Sequence, residues 1–175
     1  MYLRSKEDIE LLTQGFGGKS FKVELLMRGS AHGFSANAFH ELCDGKGPTL
    51  SIIESEQGKV FGGFTTVAWM SYDCRYFPDA PAFLFSLSNR SIHRQHRYKN
   101  YAVSHDKSQL MVFGRGNDLC IYDNCNVRKD SFCSLGDTYE APPGMQFESF
   151  DAKSYLPGAC LFKVKDFEVF QVIFN

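Results

Sequence analysis

The stretch LSIIESEQGKVFGGFTTVAW, residues 50–69, contains two apolar runs joined by a short polar segment. The runs Leu50–Glu54 and Val60–Trp69 contain many β-branched and aromatic residues, which favour strands. The segment 56–59 between them is typical of a hairpin turn, because Gly58 can adopt the positive φ that other residues resist. This stretch therefore predicts two neighbouring antiparallel strands.

Short runs of the same kind recur along the chain, with turn residues between them. They are Phe21–Met27, Phe83–Leu87, Gln109–Phe113, Leu119–Tyr122 and Ala159–Phe174. In the last run the apolar phase shifts after Val164, which indicates a β-bulge in one long, bent strand. The 17 Phe and 8 Tyr of the chain also favour a sheet-rich core. The predicted fold is mainly β with peripheral helices (α+β), a two-sheet antiparallel β-sandwich.

Two helix-start signals accompany the strands. Ser5 and Asp8 form a capping-box pattern before an apolar run that ends at Gly15, and Ser35 begins a short helix that stops at Asp44. We expect residues 1–19 to form a helical segment packed on a single domain of residues 20–175. A chain of 175 residues is long enough for one hydrophobic core.

Composition narrows the class of protein. The net charge of −1 argues against duplex nucleic acid as a partner, since such domains are usually strongly basic. Arg4 and Lys6 interrupt any apolar leader, and no run of about 18 apolar residues suggests a membrane span. We expect a soluble, cytoplasmic protein whose six cysteines are reduced and mostly buried.

Several stretches, taken in order over residues 20–172, resemble the TLDc domain, a family named for its occurrence with TBC and LysM modules. They are RGS (28–30), GFS (33–35), CDGKGPT (43–49), VFGGFT (60–65), AFLFSL (82–87), DLCI (118–121), DNCN (123–126), SYL (154–156) and FKVKDFEVF (162–170). The resemblance implies a β-sandwich that binds the cytosolic part of the vacuolar proton-pumping ATPase and contributes to oxidative-stress protection. It implies no catalytic residues, metal or cofactor. The chain departs from the family pattern at Gly114–Asp118 and at Arg90–Lys99.

Polar residues at strand ends are the first candidates for partner binding. They are Gly116, Asn117, Asp118, Asp123, Asn124 and Asn126. The alternative is that these Asx side chains bond their own backbone in turns. Gly114-Arg115-Gly116 does not predict a nucleotide loop, since a strand rather than a helix follows it.

The basic segment 90–99 is the second candidate. Its four fixed charges are Arg90, Arg94, Arg97 and Lys99, so the rest of the chain sums to −5 (−1 minus 4). This segment fits an acidic protein surface or phosphoinositide headgroups, and the alternative is an exposed, mobile loop. If the segment binds such an acidic target, His93 and His96 would strengthen binding below about pH 6.5, where an ordinary histidine becomes positively charged.

Two other functions are open at this stage. A thiolate at Cys120, Cys125 or Cys133, beside Arg115 or Arg128, would make the protein redox-active. An architectural role in another large assembly is the second. A zinc site is not predicted, because His40-Glu41 lacks the second His four residues later, and a solvated helix face is the better interpretation.

Overall fold

The computed structural model describes residues 2–3 and 5–175, so Met1 and Arg4, the latter one of the N-terminal charges above, lie outside the described residues. The helices are α1 (Lys6–Gly15), α2 (Gly29–His32), α3 (Ala36–Cys43), a 3-10 helix (Lys99–Tyr101) and α4 (Phe150–Ser154). The strands are β1 (Phe21–Arg28), β2 (Thr49–Ser55), β3 (Val60–Thr65), β4 (Arg75–Phe77), β5 (Phe83–Ser86), β6 (Ser91–Arg94), β7 (Val103–His105), β8 (Gln109–Phe113), β9 (Leu119–Tyr122), β10 (Ser131–Cys133), β11 (Leu161–Phe162) and β12 (Val164–Phe174).

The strands form two six-stranded sheets. Sheet A has the order β1-β12-β2-β3-β5-β6, and sheet B has the order β11-β10-β9-β8-β7-β4. Neighbouring strands pair antiparallel throughout. A core of buried apolar side chains, among them Phe61, Trp69, Phe113 and Phe162, fills the space between the sheets. The predicted antiparallel β-sandwich with peripheral helices is confirmed.

The hairpin predicted from residues 50–69 joins β2 to β3. Its register pairs Thr49 with Thr65, and Gly58 in the turn has a φ of +75°. The second strand is shorter than predicted and ends at Thr65. Asp79 stops it, because its carboxylate accepts hydrogen bonds from the Thr65 hydroxyl at 2.6 Å and from the backbone N–H of Thr66 at 2.7 Å.

The C-terminal run contributes to both sheets. Leu161 pairs with Phe132 in sheet B, whereas Val164 begins the long strand β12 of sheet A. The prediction of one continuous strand was therefore wrong. Leu161 and Phe162 pair with β10 instead, and β10 has only three residues, which is too few to be recognised as a strand in the sequence. The register shift between Val164 and Asp166 is the predicted bulge.

The helix α1 covers the outer face of sheet A. Ser5 caps it with the expected capping box. Leu12 and Phe16 pack into a second apolar cluster on this face, and the Phe16 ring meets the rings of Phe64 and Phe83 edge-to-face at 4.8 and 5.5 Å. Sheet A is thus buried on both faces over much of its area.

Gly62 on β3 tests how closely the strands of sheet A pack. A Cβ at this position would lie 1.9 Å from the backbone oxygen of Ser51 and 2.9 Å from the Phe85 ring. We expect Gly62→Ala to lower the free energy of unfolding by about 3 kcal/mol. The added methyl group would overlap the backbone oxygen of Ser51, and backbone moves aside less easily than a side chain. Urea unfolding measures this, with Gln57→Ala in the exposed turn of the same hairpin as a neutral control. A loss below about 1 kcal/mol, the scale of an ordinary substitution, would contradict this packing.

Candidate functional site

A buried carboxylate organises one end of sheet B. Asp118 ends the β8–β9 turn, and its side chain is fully buried. Its oxygens accept hydrogen bonds from the backbone N–H groups of Asp137, Thr138 and Tyr139 at 3.0–3.2 Å. Gly114 has no room for a side chain here, because a Cβ would lie 2.0 Å from Asp118 Oδ2. Asp118 therefore fastens the segment 137–139 to the turn from inside the domain.

Arg115, within this turn, is held from two sides. Its Nε and Nη2 donate to the two oxygens of Asp137 at 3.2 and 3.0 Å. Its guanidinium carbon also lies 3.5 Å from the centre of the Tyr98 ring. Two charge-assisted hydrogen bonds and a cation–π contact fix the side chain in one orientation, although it remains 45% exposed.

The side chains around this pair form what we call the Tyr–Arg surface. It consists of Arg97, Tyr98, Lys99, Tyr101, Arg115 and Asn117. Tyr98 and Tyr101 are 42% and 38% exposed. Arg97 donates to the backbone oxygen of Gly136 at 2.7 Å, so it is tied to the same segment that Asp118 holds. Two exposed tyrosines and three cations thus stand on a rigid support.

A groove of about 370 Å³ adjoins this surface at Arg97. Its lining includes the apolar side chains of Met145 and Phe147, and the carboxylate-bearing Glu140. Phe147 is 38% exposed. The groove therefore places two apolar side chains, within a mainly polar lining, next to the cations.

The strand-end residues predicted as one polar edge lie in two places. Asn117 belongs to the Tyr–Arg surface and Gly116 lies beside it in the same turn, whereas Asp123, Asn124 and Asn126 follow the other end of β9. A four-residue strand separates the two sets by about 13 Å. Asp118 is inside the domain and offers no exposed side chain, which corrects its assignment to direct partner contact.

Asp123 and Asn124 bond to nearby backbone and to each other. Asp123 accepts from the backbone N–H of Ala36 at 2.8 Å, at the first turn of α3, and from the Asn124 side chain at 2.6 Å. Asn124 has a φ of +55°. These contacts tie the turn to α3 and are not the bonds to their own backbone of the alternative interpretation. Asn126 is exposed.

The basic segment 90–99 is in part a strand, which corrects the alternative that describes all of it as a loop. Its first half is the edge strand β6, and its cations divide between two faces. Arg90 pairs with Asp8 at 2.5 Å, and Arg94 donates to the backbone oxygens of Gln14 and Gly15 at the C-terminus of α1. These two arginines fasten α1 to sheet A, and only Arg97 and Lys99 belong to the Tyr–Arg surface.

The predictions for His93 and His40 also need correction. His93 is 3% exposed, with Nδ1 2.8 Å from the backbone oxygen of Glu140 and Nε2 2.9 Å from Ser91 Oγ. Burial lowers the pKa of His93, so this side chain gains its charge at a lower pH than expected and offers little surface to a partner. His40, expected on a solvated face, is 7% exposed and lies 2.7 Å from Asp44.

The thiols required by the redox alternative are inside the domain. Cys43, Cys120, Cys125 and Cys133 are fully buried. Burial raises the pKa of Cys120 and of Cys125 to about 12, and it raises that of Cys133 further. Since the thiolate is the reactive form, these three candidates are poorly suited to peroxide chemistry.

The sequence analysis did not select Tyr98, Tyr101 or Arg115 as candidates for partner binding. Tyr98 and Arg115 meet where the loops before β7 and β9 both attach to segment 136–139, the first through Arg97 and the second through Asp118 and Asp137. The run Tyr98–Tyr101 with its two tyrosines was the one available signal.

Replacing Asp118 tests its supporting role. We expect Asp118→Asn to lower the free energy of unfolding by about 1–3 kcal/mol, because its NH2 group replaces Oδ2, which accepts from the buried N–H of Thr138, with a second donor. Urea unfolding of both proteins at neutral pH measures the loss. Equal stability would contradict the role.

The same pair of proteins tests the titration of Asp118. Burial raises the pKa of this carboxyl to about 7, above its value of about 4 in an unfolded chain. The folded state then binds more protons than the unfolded state between these values, so the group's contribution to stability falls as pH rises from 4 to 7. The difference in unfolding free energy between wild type and Asp118→Asn should change across this window and level off above it. A constant difference would contradict the shift.

Thiol labelling tests the burial of the cysteines. In the folded protein we expect rapid labelling at Cys74, which is exposed, and at the half-buried Cys160. The remaining four thiols should react only after unfolding, because their sulfur atoms are inaccessible. Mass spectrometry of labelled peptides identifies the sites, and fast labelling of Cys120, Cys125 or Cys133 would reopen the redox alternative.

Comparison with known proteins agrees with the fold. No curated protein matches the sequence. In the part of the chain that the structure describes, no helix has the length and apolar character needed to cross a bilayer. The model of the TLDc domain matches residues 3–173, nearly the whole length, and includes α1. The chain therefore belongs to the TLDc domain family.

Proposed function

We propose that this TLDc domain is a non-enzymatic protein-interaction module that binds an acidic partner through the Tyr–Arg surface. The observation that carries the proposal is the fixed stack of Arg115 on Tyr98, supported by the buried carboxylates of Asp118 and Asp137. Arginine and tyrosine dominate the binding energy of many protein interfaces. Side chains already held in place lose less conformational entropy on binding.

The chemistry of this surface favours an acidic protein. Arg97, Lys99 and Arg115 are its charged members, and all three are cations. Complementary charge steers the encounter, while Tyr98 and Tyr101 offer broad, rigid contact area. The adjoining groove with Met145 and Phe147 could take an apolar anchor of the partner. A phosphoinositide headgroup would use the cations but not the tyrosines.

The partner that we propose is the cytosolic part of the vacuolar proton-pumping ATPase. The TLDc family membership supports this choice, as does the positive character of the surface. In this account the domain is cytoplasmic, reaches endomembranes through its partner, and contributes to oxidative-stress protection through regulation of the pump. Asp123, Asn124 and Asn126 would form a second, smaller contact. The runner-up is an architectural role in another assembly, which would use the same surface on a different partner.

Affinity capture from a lysate of the source cells tests the proposal. Tyr98→Ala should weaken capture of the ATPase subunits by about tenfold or more, as expected for an interface hot spot. Lys99→Glu should weaken it most at low salt, because it reverses a steering charge. Lys46→Glu, an exposed lysine after α3, is the matched control and should capture as wild type. Quantitative mass spectrometry measures the bound subunits, and melting temperatures verify folding.

Three outcomes distinguish the alternatives. Loss of ATPase subunits with Tyr98→Ala and Lys99→Glu supports the proposal. Recovery of another stoichiometric complex that shows the same sensitivity favours the architectural role. Binding to phosphoinositide vesicles that depends on Lys99 but not on Tyr98 would replace the protein partner with a lipid one.

A further inference from the structure

The strand β1 leaves one side of sheet A open. It is an edge strand, eight residues long, and among the described residues it pairs with β12 alone, on its inner side. Lys22, Glu24 and Leu25 are exposed, with Leu25 at 44%. Soluble proteins usually blunt such an edge, because its free backbone groups can pair with another strand.

The backbone groups available at this edge follow from the pairing with β12. The N–H of Asn175 donates to the backbone oxygen of Ser20, so residues 20, 22 and 24 direct their N–H and C=O groups toward β12. Phe21, Val23 and Leu25 alternate with them and direct theirs outward. A register shift after Leu25 bends the strand there. The open edge therefore comprises residues 21–25.

We propose that this edge binds a second copy of the chain, forming an antiparallel β1–β1 pair centred on Val23. In this register Val23 faces Val23, and Phe21 faces Leu25 of the other copy. All three outward-directed residues then exchange backbone hydrogen bonds. Sheet A becomes one continuous twelve-stranded sheet across the dimer, and Leu25 is covered.

Charge selects this register over its neighbours. In the pairing centred on Val23, Lys22 of each copy lies opposite Glu24 of the other, with Cβ atoms about 5 Å apart. A pairing centred on residue 22 would set Lys22 against Lys22, and one centred on residue 24 would set Glu24 against Glu24. Like charges directly opposite are destabilising, so the sequence KVE at 22–24 is complementary to itself in one register.

A charge-swap series tests the proposal. Analytical ultracentrifugation from micromolar to submillimolar concentration should show a reversible monomer–dimer equilibrium. Lys22→Glu and Glu24→Lys should each raise the dissociation constant by about tenfold or more, since each creates two like-charge pairs per dimer. The double variant Lys22→Glu/Glu24→Lys should dimerise as wild type. Lys46→Glu is the matched control, and melting temperatures show that each variant is folded.

Several results would overturn the proposal. A wild type that stays monomeric over the whole range, or single variants that dimerise as strongly as wild type, would exclude the β1–β1 pair. Failure of the double variant to recover would exclude the Val23-centred register. The wild type could instead be monomeric while affinity capture from a lysate recovers a protein that Lys22→Glu no longer recovers. In that case the edge binds a strand of that protein and not a second copy of the chain.

Discussion

The buried carboxylate of Asp118 is the interaction on which the Tyr–Arg surface depends. It accepts three backbone N–H groups of a segment that has no regular secondary structure of its own. Without it those donors would be buried and unsatisfied, at a cost of about 1–3 kcal/mol each. Because Asp137 is in this segment, the same contact also places the acid that orients Arg115. A residue with no exposed surface thus determines what an exposed surface presents.

The sandwich separates the candidate residues into distinct surfaces. The strand β9 crosses sheet B with the Tyr–Arg surface at one end and the turn of Asp123 and Asn124 at the other. Arg90, just before β6, and Arg94, the last residue of β6, contact α1 on the outer face of sheet A. The open edge of β1 belongs to the opposite border of that sheet from β6. The surface proposed for partner binding and the edge proposed for self-association therefore involve different strands, and the two interactions need not exclude each other.

Much of the architecture could be predicted from sequence, because hydrophobic period and cap residues act locally. The β2–β3 hairpin, α1, α3, β8 and β9 all follow such patterns. The three-residue strands β4, β7 and β10 could not, since a run that short has no measurable period. The membership of β11 in sheet B could not be predicted either, because β11 pairs with β10, about thirty positions earlier in the chain.

The site was predicted in part only. The sequence marks Gly116–Asp118 and 90–99 as unusual, but it does not say which polar side chains are buried. Asp118 and His93 are polar residues in turn-like or basic surroundings, and tertiary packing encloses both. Burial then reverses their expected roles, from partner contact to internal support. The Arg115–Tyr98 contact depends on loops brought together by the fold, which no local pattern encodes.

The most direct test of the central claim is hydrogen–deuterium exchange of the domain, free and bound to the isolated cytosolic part of the vacuolar ATPase. The account predicts that binding slows exchange in segments 95–101 and 113–118, which carry the Tyr–Arg surface. Segment 123–128 should change less, since it lies at the other end of β9. Slowed exchange confined to 123–128 and the start of α3, with the Tyr–Arg segments unchanged, would contradict the account.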